Sequence, residues 1–198
     1  MKEYFPLNSK FGYWRFWLTP EEMQPIRQEV EEKMSSIQQK HFSAFVDLES
    51  VCLSENEKDI SDFRLLKSRN FFENCMQKFL PKPMKLVEFW VNFQKRTEFQ
   101  SLHDHPGDLS FALYLQVPFR IEDENKLWEG KFMKDSSIGK FTFLHNGDDG
   151  IVKWTNVPVD QTYENTGILF PATLIHCVWP FYSSDKIRIS VSGNFEEI

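Results

Sequence analysis

His103 and His105 stand two residues apart in SLHDHPGDLSFALYLQ (101–116), with Asp104 between them and Pro106-Gly107 behind. Side chains two apart on a strand share a face. The two imidazoles therefore converge on one point, and Asp104 turns away. Imidazole is a ligand shared by zinc, iron, copper and nickel, and such a pair chelates a metal once a third donor joins. His176, in the apolar run LIHCVWPF (174–181), is the available third donor, 71 residues beyond His105. The competing reading is plainer: an HxH pair beside a turn is a frequent surface feature, and a lone histidine in an apolar strand is packed core. His41 and His145 read as structural or surface residues.

A second chemical feature lies in KIRISVSGNF (186–195). Ile187, Ile189, Val191 and Phe195 fall on one face, and Arg188, Ser190, Ser192 and Asn194 on the other. A half-exposed strand with its polar side in water accounts for this. So does a polar barrel interior in which Arg188 waits for an anion, since a guanidinium matches a carboxylate as a two-pronged donor. Ser190, two residues on, adds a hydroxyl to the same face.

The elements around these residues divide at Pro81 and Pro83. Before them, Thr19-Pro20-Glu21-Glu22 is a capping box, and Met23, Ile26, Val30, Met34 and Ile37 follow at helical spacing. A second helix is expected from about Ser61 to Leu80, its stripe ending in Phe72, Cys75, Met76, Phe79 and Leu80. A strand is a candidate for Phe42 to Val51. After the prolines the chain reads as strands: LVEFWVNF (86–93), LSFALYLQV (109–117), KFTFLH (140–145), IVKW (151–154), GILFP (167–171), LIHCVWPF (174–181) and KIRISVSGNF (186–195). Many short strands parted by turn signals predict a sandwich or barrel. Charged Arg120–Gly139, without periodicity, reads as a long surface loop. No linker divides the chain, so we expect one domain: a mainly helical support over 1–83 and a β core over 84–198.

The 198 residues are about one domain's worth, enough to bury a real core. A net charge of −6 argues against a broad grip on nucleic acid. Cys52, Cys75 and Cys177 are odd in number and show no CxxC pattern, which suits a reducing compartment better than a disulfide framework or zinc ribbon. MKEYFPLNSK lacks the apolar run of a signal peptide, and no stretch approaches the ~20 apolar residues of a membrane span. A cytoplasmic protein without membrane contact is expected. Exposed Phe or Trp near the N-terminus would favour a homodimer.

The order HxH (103–105), distal His (176) and RxS (188–190) resembles the Fe(II)/2-oxoglutarate-dependent oxygenases, in particular a branch with an H-x-H-P motif. The likeness runs through FWVNFQKRTEFQSLHDHPGDLSFALYLQVP (89–118), TGILFPATLIHCVWPF (166–181) and RISVSGNF (188–195). It covers about the last 115 residues, and the helical half matches only in style. It implies an α+β, mainly β protein: a double-stranded β-helix (a cupin-like jelly roll) with the N-terminal helices packed on one sheet. His103 and His176 would ligate Fe(II). Arg188 and Ser190 would bind the distal carboxylate of 2-oxoglutarate. Asn92 and Tyr114, on neighbouring strands, are either helpers in holding the keto acid or ordinary polar strand residues. The implied reaction consumes O2, converts 2-oxoglutarate to succinate and CO2, and hydroxylates an unknown substrate.

One position departs from the superfamily, whose third ligand is usually the carboxylate of an H-x-D or H-x-E. Strand geometry favours His105 there. Asp104 serves instead if the Pro106-Gly107 turn twists the strand, and Asp108 is a weaker candidate. Imidazole in place of carboxylate raises the site charge by one, which weakens retention of a dication and favours a bound dianion. Two other functions remain open: a three-histidine cupin-type metalloenzyme that needs no keto acid, and a non-catalytic jelly-roll module for carbohydrate or protein. Phe89, Trp90, Phe170 and Trp179 are either a water-poor wall of the site or plain core. The loops Arg120–Gly139 and Asn146–Gly150 are candidates for its entrance.

Overall fold

The computed structural model describes residues 1–41, 63–127 and 137–198, with the backbone alone for 36–41. Among the described residues, ten strands form two antiparallel sheets. They are β1 (Lys2–Pro6), β2 (Gly12–Trp17), β3 (Met84–Gln94), β4 (Gln100–His103), β5 (Leu109–Gln116), β6 (Phe141–Asn146), β7 (Val152–Val157), β8 (Thr166–Pro171), β9 (His176–Val178) and β10 (Arg188–Glu197). The larger sheet runs β1-β2-β8-β5-β10-β3, the smaller β4-β9-β6-β7. Tyr13, Ala112, Tyr114, Phe141, Phe143, Ile168 and Phe170, drawn from both sheets, pack between them. The fold is a double-stranded β-helix.

The outer face of the larger sheet is covered by helices α1 (Pro20–His41) and α2 (Arg69–Met76). The capping box forms as expected: the Thr19 N–H donates to Glu22 Oε2 at 2.9 Å, and the Glu22 N–H donates to Thr19 Oγ1 at 3.3 Å. Met23, Ile26 and Val30 are buried against Leu109, Phe111, Leu113 and Val191 of the sheet, and Phe72 stacks on Phe89 with centroids 4.7 Å apart. Both faces of β5 are therefore buried, and its alternation separates two cores rather than core from water. Ile37 and Cys52 lie outside what is described of side chains, and the candidate strand from Phe42 to Val51 lies outside the described residues. Cys75 and Cys177 are free thiols.

Four expectations change. Residues 2–17 form a hairpin that extends the larger sheet. It fits because Gly167 faces Phe16, where a Cβ would come within 2.2 Å of the ring. Within the helix expected from about Ser61 to Leu80, the described segment 64–68 is not helical, and α2 begins at Arg69. Ahead of it Arg64 bridges to Trp90, and the Leu65 N–H donates to the Phe89 carbonyl at 2.9 Å. The buried Glu29 carboxylate accepts the N–H groups of Leu66, Lys67 and Ser68 and so holds this segment in a non-helical path. The supposed surface loop after Arg120 opens with a short helix, α3 (Ile121–Leu127). Its Glu124 is fully buried and accepts the N–H groups of Tyr182 and Ser183 at 2.8 Å each. Finally, LIHCVWPF contributes only the three-residue β9.

Candidate metal and keto-acid site

β4 and β9 pair antiparallel with His103 opposite His176. His105 follows β4 after one residue, and its N–H donates to the Ala172 carbonyl at 3.0 Å. Gly107, at φ 95°, then turns the chain into β5, a conformation that favours glycine. The result is a cluster in which one nitrogen from each of His103, His105 and His176 lies within 4.8 Å of the others. Ring centroids are 4.2 Å apart for His103–His176, 5.0 Å for His103–His105 and 5.1 Å for His105–His176. Asp104 is exposed and outside this cluster. Asp108 accepts the Glu197 N–H at 2.8 Å and serves the turn. His145 is also separate, buried against Thr155 Oγ1 at 2.9 Å.

The rings are ready to coordinate. Nδ1 of His103 lies 2.7 Å from the Ser101 carbonyl, and Nδ1 of His176 lies 2.9 Å from the Leu174 carbonyl. A carbonyl only accepts, so each Nδ1 carries the proton and each Nε2 presents its lone pair. His176 is buried among Phe141, Phe143 and Phe170, with the Phe141 ring stacked at 5.2 Å. Burial pulls its pKa down to about 3. Burial, helped by the neighbouring His103, pulls His105 down to about 4. Both are neutral at pH 7, the state a metal requires of imidazole. Three convergent ring nitrogens fit a divalent transition metal.

The cavity beside the histidines is also lined by Asn92, Gln94, Tyr114, Arg188, Ser190 and Ser192. The polar face of β10 thus points between the sheets. Trp179, three positions after His176, reaches Arg188 through its carbonyl and so links the histidine cluster to the guanidinium. Arg188 is 2% exposed. Its Nη1 donates to the Gly139 carbonyl at 3.0 Å and its Nη2 to the Trp179 carbonyl at 3.2 Å. Phe119 and Phe181 flank the guanidinium, each with its ring centroid 5.7 Å away. Burial lowers its pKa to about 10, so it remains charged at neutral pH. Among the described residues it forms no ion pair.

The helper residues differ. Asn92 is engaged within the protein, accepting from Trp90 Nε1 at 3.1 Å and donating to Ser192 Oγ at 3.0 Å. Tyr114 lies opposite Ser190 across β5 and β10, and burial pushes its phenol pKa up, so the hydroxyl stays protonated. Trp90 and Phe170 line the cavity. Phe89 does not: it faces the helices. Trp179 contributes its carbonyl to Arg188 rather than an aromatic wall. Asn146–Gly150 joins β6 to β7 and binds Ser9 through Asp148, away from the cavity lining. Gln94, which the reading of the sequence passed over, lines the site and contacts Arg188. Its position two residues beyond Asn92 on a strand was the available signal.

The family model described as "Putative 2OG-Fe(II) oxygenase" matches residues 88–194, slightly more than half of the chain. Among curated protein sequences none matches. AviO1 from Streptomyces viridochromogenes Tue57 superposes with a TM-score of 0.54 at 10% identity, over 94% of this chain and 90% of that one. HygX from Streptomyces hygroscopicus, with iron bound, gives 0.52 at 10% identity over 94% and 82%. A Pseudomonas putida prolyl-4-hydroxylase gives 0.48 at 16% identity over 96% and 90%. At these identities AviO1 and HygX speak for the fold alone.

Proposed function

Because the chain belongs to the 2OG-Fe(II) oxygenase family, we propose that His103, His105 and His176 hold its iron and that Arg188 with Ser190 anchors its 2-oxoglutarate. The protein is an Fe(II)- and 2-oxoglutarate-dependent oxygenase, which uses O2 and acts on a further substrate. When bound, the iron supplies the centre at which oxidation of the keto acid to succinate and CO2 is coupled to oxidation of that substrate. Hydroxylation is the simplest outcome.

The protein's own groups have defined tasks in this reading. The anchored Nδ1 atoms of His103 and His176 fix which nitrogen faces the metal. His105, rather than Asp104, completes the set. Arg188 offers a full positive charge in a water-poor recess, where charge-assisted hydrogen bonds are strong. Tyr114 and Ser190 add hydroxyl donors at the same level. Trp90 and Phe170 keep water from the reacting end. The convergence of three ring nitrogens within 4.8 Å of one another carries the reading. A buried, charged Arg188 in the same cavity favours it over a keto-acid-free cupin. The free Cys75 and Cys177 fit a reducing compartment, and we place the protein in the cytoplasm.

The test uses protein mixed anaerobically with Fe(II) and 2-oxoglutarate. A weak visible charge-transfer band is expected. His105→Ala should lower Fe(II) affinity by more than about 100-fold, since even the outer partners of metal ligands are worth 10–100-fold. Asp104→Asn should leave it intact. Arg188→Met should weaken 2-oxoglutarate roughly 30-fold or more while sparing the metal, the cost of removing one half of a buried charge pair. Iron loss in Asp104→Asn but not in His105→Ala would refute the ligand set.

A further inference from the structure

Gln94 and Arg188 face each other across β3 and β10 in antiparallel register. Both side chains are buried. Gln94 Oε1 accepts from Arg188 Nε at 3.0 Å and also from Nη2. Its Nε2 donates to the Glu98 carbonyl at 2.5 Å and lies 3.5 Å from the Trp179 carbonyl. This amide has only one workable orientation. A guanidinium only donates and a carbonyl only accepts, so the oxygen must face Arg188 and the nitrogen the two carbonyls. With the Gly139 and Trp179 carbonyls, every acceptor hydrogen-bonded to the guanidinium is neutral; the buried Glu124 carboxylate acts on it only through space, its oxygens taken by the N–H groups of Tyr182 and Ser183.

That choice of partner is unusual. Burying an unpaired charge is costly, and a carboxylate would take the same two N–H groups as a stronger, two-pronged acceptor. It would also cancel the charge. We infer that Gln94 is a positioning residue that fixes the Arg188 fork without neutralising it, reserving the positive charge for the distal carboxylate of 2-oxoglutarate. The inference rests on the Arg188 anchor proposed above. On that anchor, a preference for keto acids with a second carboxylate follows, and Gln94 is the residue that maintains it.

The experiment compares 2-oxoglutarate with 2-oxobutyrate, which has the same keto-acid head and no distal carboxylate. Binding to Mn(II)-loaded protein is followed by titration calorimetry, after Mn(II) affinity itself has been measured. Wild-type protein should prefer 2-oxoglutarate. Gln94→Glu, which changes one NH2 to an oxygen, should lower 2-oxoglutarate affinity at least about tenfold, the size of a hydrogen bond to a charged group. It should leave 2-oxobutyrate and Mn(II) unchanged. Gln94→Met breaks all of the amide's hydrogen bonds but keeps the charge on Arg188, and it should lose less than Gln94→Glu. A scaffolding role predicts the reverse order.

Full preference retained in Gln94→Glu would overturn the inference. So would a loss in Gln94→Met equal to or larger than that in Gln94→Glu. The new carboxylate oxygen would face the Glu98 and Trp179 carbonyls, so thermal melting must accompany the titrations. If Gln94→Glu does not fold, Gln94→Met decides alone: a loss beyond about tenfold would show that the bonds, not the charge, carry the affinity, and a smaller loss supports the inference. Wild-type protein that binds both keto acids alike would remove the Arg188 anchor itself, a result seen before any substitution is made.

Discussion

Ile189, Val191 and Phe195 point from β10 into the layer beneath α1 and α2, whereas Arg188, Ser190, Ser192 and Asn194 point into the space between the sheets. Both rows are largely shielded from water. The first is held by non-directional apolar contact, so many sequences of similar volume would satisfy it. The second needs a partner for each polar atom, because an unpaired buried group is costly. Ser110 donates to Asn194 at 2.7 Å, Asn194 donates onward to Glu88, Asn92 donates to Ser192, and Gln94 accepts from Arg188. A row built this way costs stability unless it is complete. The contrast assigns stability to one side of the strand and chemistry to the other.

That division can be broken at several points, beginning with the largest effect. Phe195→Ala on the helix side should cost about 3–5 kcal/mol in denaturant titrations. The folded fraction should still bind 2-oxoglutarate normally, and a matching loss of affinity would show that the two faces are coupled. Glu29→Gln should cost about 2–3 kcal/mol, because the carboxylate gathers several donors that one amide oxygen cannot satisfy.

The Glu29 effect should also depend on pH. Burial pushes the Glu29 carboxyl upward, but the Ser68 hydroxyl and the N–H groups of 66–68 outweigh it and hold its pKa below the ordinary value. A depressed folded pKa adds stability that is present above the unfolded pKa and lost as pH falls through the folded one. Wild type and Glu29→Gln should therefore converge in stability as the solution is acidified, and a gap that persists in strong acid would contradict this. The smallest effect is expected for Thr19→Ala at the α1 cap, about 1 kcal/mol in the same denaturation assay, again with the keto-acid affinity unchanged.

Much of the chemical side was legible in the sequence because it follows period 2. His103 and His105 share a face by alternation, and the RxS spacing of β10 puts Arg188 and Ser190 on one side. Which element stands opposite them is a matter of sheet pairing, and local pattern carries no information on it. Gln94 was overlooked for that reason: its importance comes from lying across from Arg188, 94 residues away. The N-terminal hairpin was missed because short aromatic segments become strands only when an edge such as β8 receives them. Leu66–Ser68 read as helix, but Glu29, from another element, captures their N–H groups. Glu124 looked like a surface charge because its donors, the N–H groups of Tyr182 and Ser183, lie 58 and 59 residues on.

The carbonyls of Ser101 and Leu174 each grip a histidine two residues downstream. The rotational freedom of these rings is thus surrendered when the chain folds, not when an ion arrives. With the histidines as the proposed iron ligands, loading should require little rearrangement of either strand, and ions should exchange in and out of an essentially rigid rack. Discrimination among divalent cations then falls to bond length and angle in that rack, and the cell's own supply of each ion decides the rest.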